Sequence, residues 1–288
     1  MNIKIFQKGF NYSQDGPGNR LVYHLQGCNL HCPWCSNPEG IPINGCLLQI
    51  NQSLSEDVCP YGAIHDNAPE RKICGHCVSR DCTAMHSSGL KWSAREISIQ
   101  EILDEIHRST MMFFDGGGVT FTGGEVSLQF EALEELLRLL KKDNIHIAVE
   151  TNGTHPRLPE LFPFIDWLII DFKHYDADQH HNVLGTSNKT VLDNIRCAAH
   201  TRNQLLIRIP LINNFNASVD DAEHFAEMIS SWISDSIKVE LLCYHEYGKD
   251  KWHQCGLSYA MHDGFVTEEQ FRAFGDVLKS HHISLVHT

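Results

Sequence analysis

The chain has 288 residues, 42% of them hydrophobic, enough to bury a full core in one large domain or in a domain carrying an insert. No run approaches the roughly 18 apolar residues that would span a bilayer, and the opening MNIKIFQKGF lacks the basic start and apolar run of a secretory signal, so a soluble cytoplasmic protein with no membrane contact is expected. A formal charge of -13 argues against general attraction to nucleic acid and favours a protein or small-molecule partner.

In chain order, DGPGNR (residues 15–20) leads into a first strand candidate, RLVYHLQG (20–27), which runs into GCNLHCPWCSNPEG (27–40). Residues 41–92 are rich in cysteine and turns and poorly periodic. About 50 such residues cannot easily build an independent apolar core, so they read as an insert held by its own metal-based staple. From residue 98 onward strand and helix patterns alternate. The strands are GVTFTG (118–123), IHIAVET (145–151), WLIIDF (167–172), QLLIRIPL (204–211), KVELLCY (238–244) and ISLVH (283–287). Capping-box spacing marks three helix starts, at Ser98 with Glu101, Ser218 with Asp221 and Thr267 with Gln270. Seven strands with intervening helices fit a doubly wound sheet or a complete or partial barrel, and in either case functional loops follow the carboxyl ends of the strands.

Eleven cysteines in a reducing compartment favour metal or iron-sulfur ligation over disulfides. Eight fall between Cys28 and Cys82, while Cys197, Cys243 and Cys255 read as small buried residues or free thiols. Cys28, Cys32 and Cys35 form a trio with no fourth cysteine in the run. Three thiolates around a four-iron, four-sulfur cube leave one iron open, whereas electron carriers normally use four cysteines. A structural zinc site would want four ligands, and His31 could supply the last. The TGGE run adds Gly123 and Gly124, which let backbone approach a ligand closely, and Glu125, whose carboxylate could accept hydrogen bonds from an ammonium. The pairs His180/His181 and His281/His282 have no motif around them and read as surface residues.

The spacing CxxxCxxC, with the aromatic Trp34 just before the last cysteine, resembles the signature of the radical S-adenosylmethionine superfamily. There the methionine amino and carboxylate groups chelate the open iron, GGE holds the amino group, and one electron cleaves the sulfonium to give a 5'-deoxyadenosyl radical. DGPGNR, the cysteine run, GGGVTFTGGEVSLQ, ETNGT, IIDFKH, IRIPLINNFN and YHEYGKDK together resemble the activating enzymes of glycyl radical enzymes over nearly the whole chain.

That resemblance implies an α/β fold, a partial (β/α)6 barrel of the TIM type built from residues 1–40 and 93–288, with residues 41–92 as a small ferredoxin-like insert. It implies that Asp15 meets the partner's glycine loop. Glu150 and Thr151, with Asp171, match positions that bind a monovalent cation in some members, the first being often aspartate there. Lys173 and Arg208 suit the ribose or carboxylate of the cofactor, and His245 matches a cofactor-side histidine. The partners implied are a glycyl radical enzyme and a reduced flavodoxin or ferredoxin as electron donor.

In the insert, VCPYGAI resembles the end of a bacterial ferredoxin half-motif. Cys59 with Cys74, Cys77 and Cys82 then makes one set of four ligands for an auxiliary four-iron, four-sulfur cluster, and zinc is the rival. Cys46 is left over. The insert and the SNPEG flank point, by analogy, to the group serving dehydratases, decarboxylases and carbon-nitrogen or carbon-sulfur lyases. Two readings compete with activation: radical chemistry on a small molecule or peptide, and a non-catalytic electron carrier or zinc-stabilised adaptor.

Overall fold

The computed structural model describes residues 1–10, 14–51, 53–85, 89–200, 204–232 and 237–287. The chain runs β1 (Asn2–Phe10), β2 (Arg20–Leu25), β3 (Leu47–Gln49), β4 (Ile64–His65), β5 (Ala68–Pro69), α1 (Arg71–Cys74), β6 (Leu90–Trp92), β7 (Arg95–Ser98), α2 (Ile99–Ser109), β8 (Gly118–Gly123), α3 (Phe130–Lys142) and β9 (Ile147–Thr151). It continues β10 (Trp167–Asp171), α4 (Ala177–Leu184), α5 (Lys189–Ala199), β11 (Gln204–Leu211), α6 (Val219–Ser230), β12 (Ile237–Cys243), α7 (Lys249–Gln254), α8 (Glu268–Ser280) and β13 (Leu285–Val286).

One sheet has the order β13-β12-β11-β10-β9-β8-β2-β1-β7. From β2 through β13 neighbours are parallel, and the strands are buried along most of their length, as expected where helices cover one face and a lumen the other. The six strands β2 and β8 to β12 make the partial (β/α)6 barrel. It stays open because β7 and β13 end the sheet. The edge holding β1 and β7 differs from expectation: β1 runs antiparallel to β2, and β7, antiparallel to β1, returns to the direction of the barrel strands, so the two extend the sheet beyond its parallel set. Only Ile3 and Ile5 of β1 are fully buried, so its local pattern is weak and its pairing is set by distant partners.

The core lies between the sheet and the buried faces of α2, α3, α5, α6 and α8. Both hydrogen bonds of the capping box are present at Ser98/Glu101, Ser218/Asp221 and Thr267/Gln270. Residues 41–92 carry two small antiparallel pairs, β3 with β6 and β4 with β5. Their apolar cluster is Leu47, Leu54, Ile64 and Leu90, against which Cys59, Cys74, Cys82 and Trp92 pack. Among the described residues, no helix is long and apolar enough to cross a membrane.

Candidate active site

The loop after β2 carries Cys28, Cys32 and Cys35 into a cavity of about 280 Å³ at the carboxyl ends of the parallel strands. Its path is fixed by backbone bonds: Gly27 N to Gly40 O (2.7 Å), Cys28 N to Ile41 O (2.9 Å) and His31 N to Leu184 O (3.2 Å). Asn37 N donates to Cys35 Sγ (3.4 Å) and Asn152 Nδ2 to Cys28 Sγ (3.9 Å). Burial pushes the Cys28 and Cys35 thiols up to about 12 and raises Cys32 as well. Thiols held so apolar ionise when a metal supplies the compensating charge, so the donor set fits an iron-sulfur cluster.

Trp34, Gly123, Gly124, Glu150, Thr151, Asp171, Lys173 and His245 line the same cavity. Gly123 has φ +121°, and a Cβ on Gly124 would lie 2.1 Å from the Gly27 carbonyl oxygen, so the end of β8 packs directly on the cysteine loop. Gly124 N donates to Leu25 O (2.9 Å) and Glu125 N to Gly27 O (2.6 Å). Trp34 packs on Phe215, their ring centroids 5.0 Å apart. Lys173 Nζ lies 2.6 Å from Asp171 Oδ2. His245 stacks on Tyr247, and burial holds its imidazole below the ordinary histidine range.

Asp15 reaches the cavity from the loop ahead of β2, at the amino end of the sheet, and so forms its floor. Burial, followed by the charge of Glu150, pushes its carboxyl up to about 8, and it shares a hydrogen bond with Glu150. Burial alone would raise Glu150 too. The Arg208 guanidinium (2.6 Å) and the Thr122 hydroxyl (2.8 Å) instead hold it below the ordinary carboxylate range.

Two expected contacts are corrected by the structure. Glu125 does not present its carboxylate to the cavity. It is buried and accepts from Ser127 N (3.0 Å), the Ser127 hydroxyl, Thr151 Oγ1 (2.7 Å) and Asn152 N (2.7 Å), so its acceptors are spent on tying β8 to β9. Arg208 does not line the cavity either. In register between Asp171 and Glu240 inside β11, it is 2% exposed and ion-paired to Glu150 and to Glu240 (2.9 Å). His180, read as a surface residue, is buried against Thr186 O (2.5 Å) because it faces inward from α4. Cys255, read with the scattered thiols, lies beside Cys46, whereas Cys197 and Cys243 are exposed.

Sequence reasoning missed the brace at α7. Trp252 Nε1 donates to the Cys35 carbonyl (2.9 Å), while Lys251 Nζ contacts Asn37 Oδ1 (2.7 Å) and Glu39 Oε1 (2.7 Å). Lys251 and Trp252 lie three and four positions past YHEYG, and the signal was a tryptophan and a lysine on one short helix close to a motif. A second cavity, of about 580 Å³, lies within residues 41–92, and all of Cys59, Cys74, Cys77 and Cys82 line it. Burial raises Cys74 and Cys82.

A parallel barrel open on one side, with three half-buried thiols at its carboxyl mouth, defines a radical S-adenosylmethionine domain, and the model of the radical SAM superfamily matches residues 22–229. The chain is 33% identical over 283 residues to the 4-hydroxyphenylacetate decarboxylase activating enzyme of Clostridioides difficile (strain CD196), covering 91% of this chain and 89% of that protein. It is 30% identical over 277 residues to the (2S)-3-sulfopropanediol dehydratase activating enzyme of Klebsiella oxytoca, covering 90% and 87%. The crystal structure of a domain of pyruvate-formate lyase-activating enzyme from Bacteroides vulgatus ATCC 8482 superposes with a TM-score of 0.50 at 28% identity, over 59% of this chain and 98% of that one. The chain belongs to the glycyl radical enzyme activating enzymes of the radical SAM superfamily.

Proposed function

We propose that Cys28, Cys32 and Cys35 hold a four-iron, four-sulfur cluster whose open iron and neighbouring wall receive S-adenosylmethionine, and that a glycine loop of a partner enzyme reaches the cavity through the gap in the barrel. Bound there, the two groups supply the reductive cleavage and hydrogen-atom abstraction by which activating enzymes install a glycyl radical. The convergence of the three thiols with Gly123, Gly124, Asp171, Lys173 and His245 on one cavity carries this reading. Gly123 and Gly124 expose backbone to the cofactor's methionine end, and the Lys173–Asp171 pair and the His245 imidazole offer polar partners to its ribose and carboxylate. Trp34 closes the wall over the cysteine loop. Asp15, protonated at neutral pH and bonded to Glu150, presents no net charge to a hydrogen atom in transit. Misplacement of about 1 Å is costly for such a step, which favours a walled cavity over an open surface.

The residues do not suit the monovalent cation. The Glu150 carboxylate is already engaged by Arg208 and Thr122, Lys173 ion-pairs Asp171, and the Thr151 hydroxyl is donated to Glu125, so no cation enters the proposal.

Residues 41–92 form a separate unit on a barrel made of 1–40 and 93–288, and its four cysteines hold an auxiliary four-iron, four-sulfur cluster. A reduced flavodoxin or ferredoxin supplies the electron, and a cytoplasmic setting keeps the cysteines reduced. The partner belongs to the decarboxylase, dehydratase and lyase group of glycyl radical enzymes, in keeping with what the relatives activate. Mixing the anaerobically reduced protein and S-adenosylmethionine with candidate partners tests this. A glycine-centred doublet in the paramagnetic resonance spectrum is expected with the right partner. Release of methionine and 5'-deoxyadenosine with no doublet from any partner would instead favour a small-molecule or peptide substrate.

A further inference from the structure

Outside both cavities described so far, two thiols separated by 209 positions meet: Cys46 Sγ and Cys255 Sγ are 3.7 Å apart. Cys46 sits immediately before β3, and Cys255 caps the end of α7. Arg71 pins both flanks, its Nη1 donating to Leu47 O (2.7 Å) and its Nη2 to Gln254 O (2.8 Å). Gly256 (φ +71°) lets that side chain pass, because a Cβ there would lie 1.9 Å from Arg71 Nε. Cys46 is further held by N–H donation to Ser93 Oγ (2.9 Å). The two sulfurs, held 3.7 Å apart by these fixed flanks, have only to close to the disulfide length of about 2.05 Å.

Cys46, half-buried, opens on a cavity of about 580 Å³ whose walls include Lys4, Arg71, Arg80 and Glu96. The three cations rest on neutral groups: Lys4 on the Asn44 side-chain oxygen, Arg71 on two carbonyls and Arg80 over the Trp92 ring. Set against the single carboxylate of Glu96, three cations leave the lining net positive, which favours an anionic visitor. The bond from Cys255 holds the Cys46 thiol below the ordinary cysteine range, and Ser93 and Arg71 act in the same direction.

We propose that Cys46 and Cys255 are a reversible redox pair, oxidised by small carboxylate-bearing disulfides such as glutathione disulfide to a cystine that ties residues 41–92 to α7. The Cys46 sulfur, as thiolate, attacks one sulfur of the small disulfide, whose bond breaks, and one small thiol leaves with the proton that Cys46 gave up. The Cys255 sulfur then attacks the Cys46 sulfur and expels the second small thiol, which takes the Cys255 proton. The protein thiols lose a pair of electrons and the small disulfide gains them. Because α7 also braces the Cys35 carbonyl through Trp252, the bond couples the unit carrying the four-cysteine cavity to the loop carrying the catalytic trio.

The test uses the cluster-loaded protein, purified anaerobically and freed of reductant, incubated with glutathione disulfide, alkylated, digested and mapped by mass spectrometry. A Cys46–Cys255 cross-linked peptide that disappears with dithiothreitol is expected. Cys46→Ser and Cys255→Ser should each abolish it while keeping the iron content of the parent. Limited proteolysis within residues 41–92 should slow several-fold on oxidation of the parent and not of either variant. No cross-link, a Cys46–Cys74 link instead, or unchanged proteolysis of the oxidised parent would overturn the proposal. The readout does not depend on radical chemistry, so failure here leaves the proposed function standing.

Discussion

Arg208 shows how a single side chain can serve the site without touching it. Its guanidinium lies between the carboxylates of Glu150 and Glu240, at 2.6 and 2.9 Å, with Arg208 2% and Glu240 1% exposed. Such a group is costly to bury and costlier to delete, since truncation strands the opposite charges. Arg208→Ala is expected to lose about 3–5 kcal/mol of stability in anaerobic urea unfolding, with Arg208→Lys recovering only part because a lysine cannot span both carboxylates. Asp15 yields a prediction with a sign. Its carboxyl titrates at about 8 in the folded chain against an ordinary 3.8, so between those values the native state keeps a proton that the unfolded chain has released. The stability this group contributes is complete below about pH 4 and is lost as pH rises toward about 8. Relative to Asp15→Asn, which cannot ionise, the wild type should therefore weaken steadily across that window in urea midpoints. A constant difference between the two would show that Asp15 ionises as an ordinary carboxylate.

At the scale of elements, the cysteine loop is positioned by its neighbours on three sides: the Gly123–Gly124 turn after β8, the Leu184 carbonyl at the end of α4, and α7. Removing the Trp252 donor with Trp252→Phe keeps most of the ring packing and leaves the Cys35 carbonyl without its indole partner. A net loss of about 1 kcal/mol predicts roughly fivefold faster release of iron to a chelator, with secondary structure unchanged by circular dichroism. Of this arrangement the sequence revealed the parts whose chemistry is local. Ser98, Ser218 and Thr267 cap helices through residues three positions away, and CxxxCxxC confines three thiols to one loop, so both are legible without the fold. The inward turn of Glu125 and the pairing of Arg208 with Glu150 and Glu240 depend on strand register across the lumen, which no local pattern encodes. The same holds for β1, whose pairing is with β2 and β7, and for the meeting of Cys46 with Cys255.

At the scale of the whole molecule, the barrel and residues 41–92 pose separate metal problems. The three barrel thiols lie in a walled cavity with Lys173 close by, as suits a cluster that must also admit a cofactor. The four other cysteines line a cavity flanked by the exposed side chains of Tyr61, Ile73 and Val78, as suits a site reached by an electron donor from outside. If both hold cubanes, the intact protein carries about eight irons, and a Cys74→Ser variant, which loses only the outer set, carries about four. Because the inner site shares no ligand with the outer one, that variant should still release methionine and 5'-deoxyadenosine when a strong chemical reductant replaces the protein donor. Its rate with reduced flavodoxin should fall at least tenfold if the outer cluster is the electron's point of entry, and stay level if residues 41–92 serve only to shape the docking face. About four irons together with one zinc in the parent protein would assign the outer cavity to zinc, whose four tetrahedral thiolate ligands could not relay an electron.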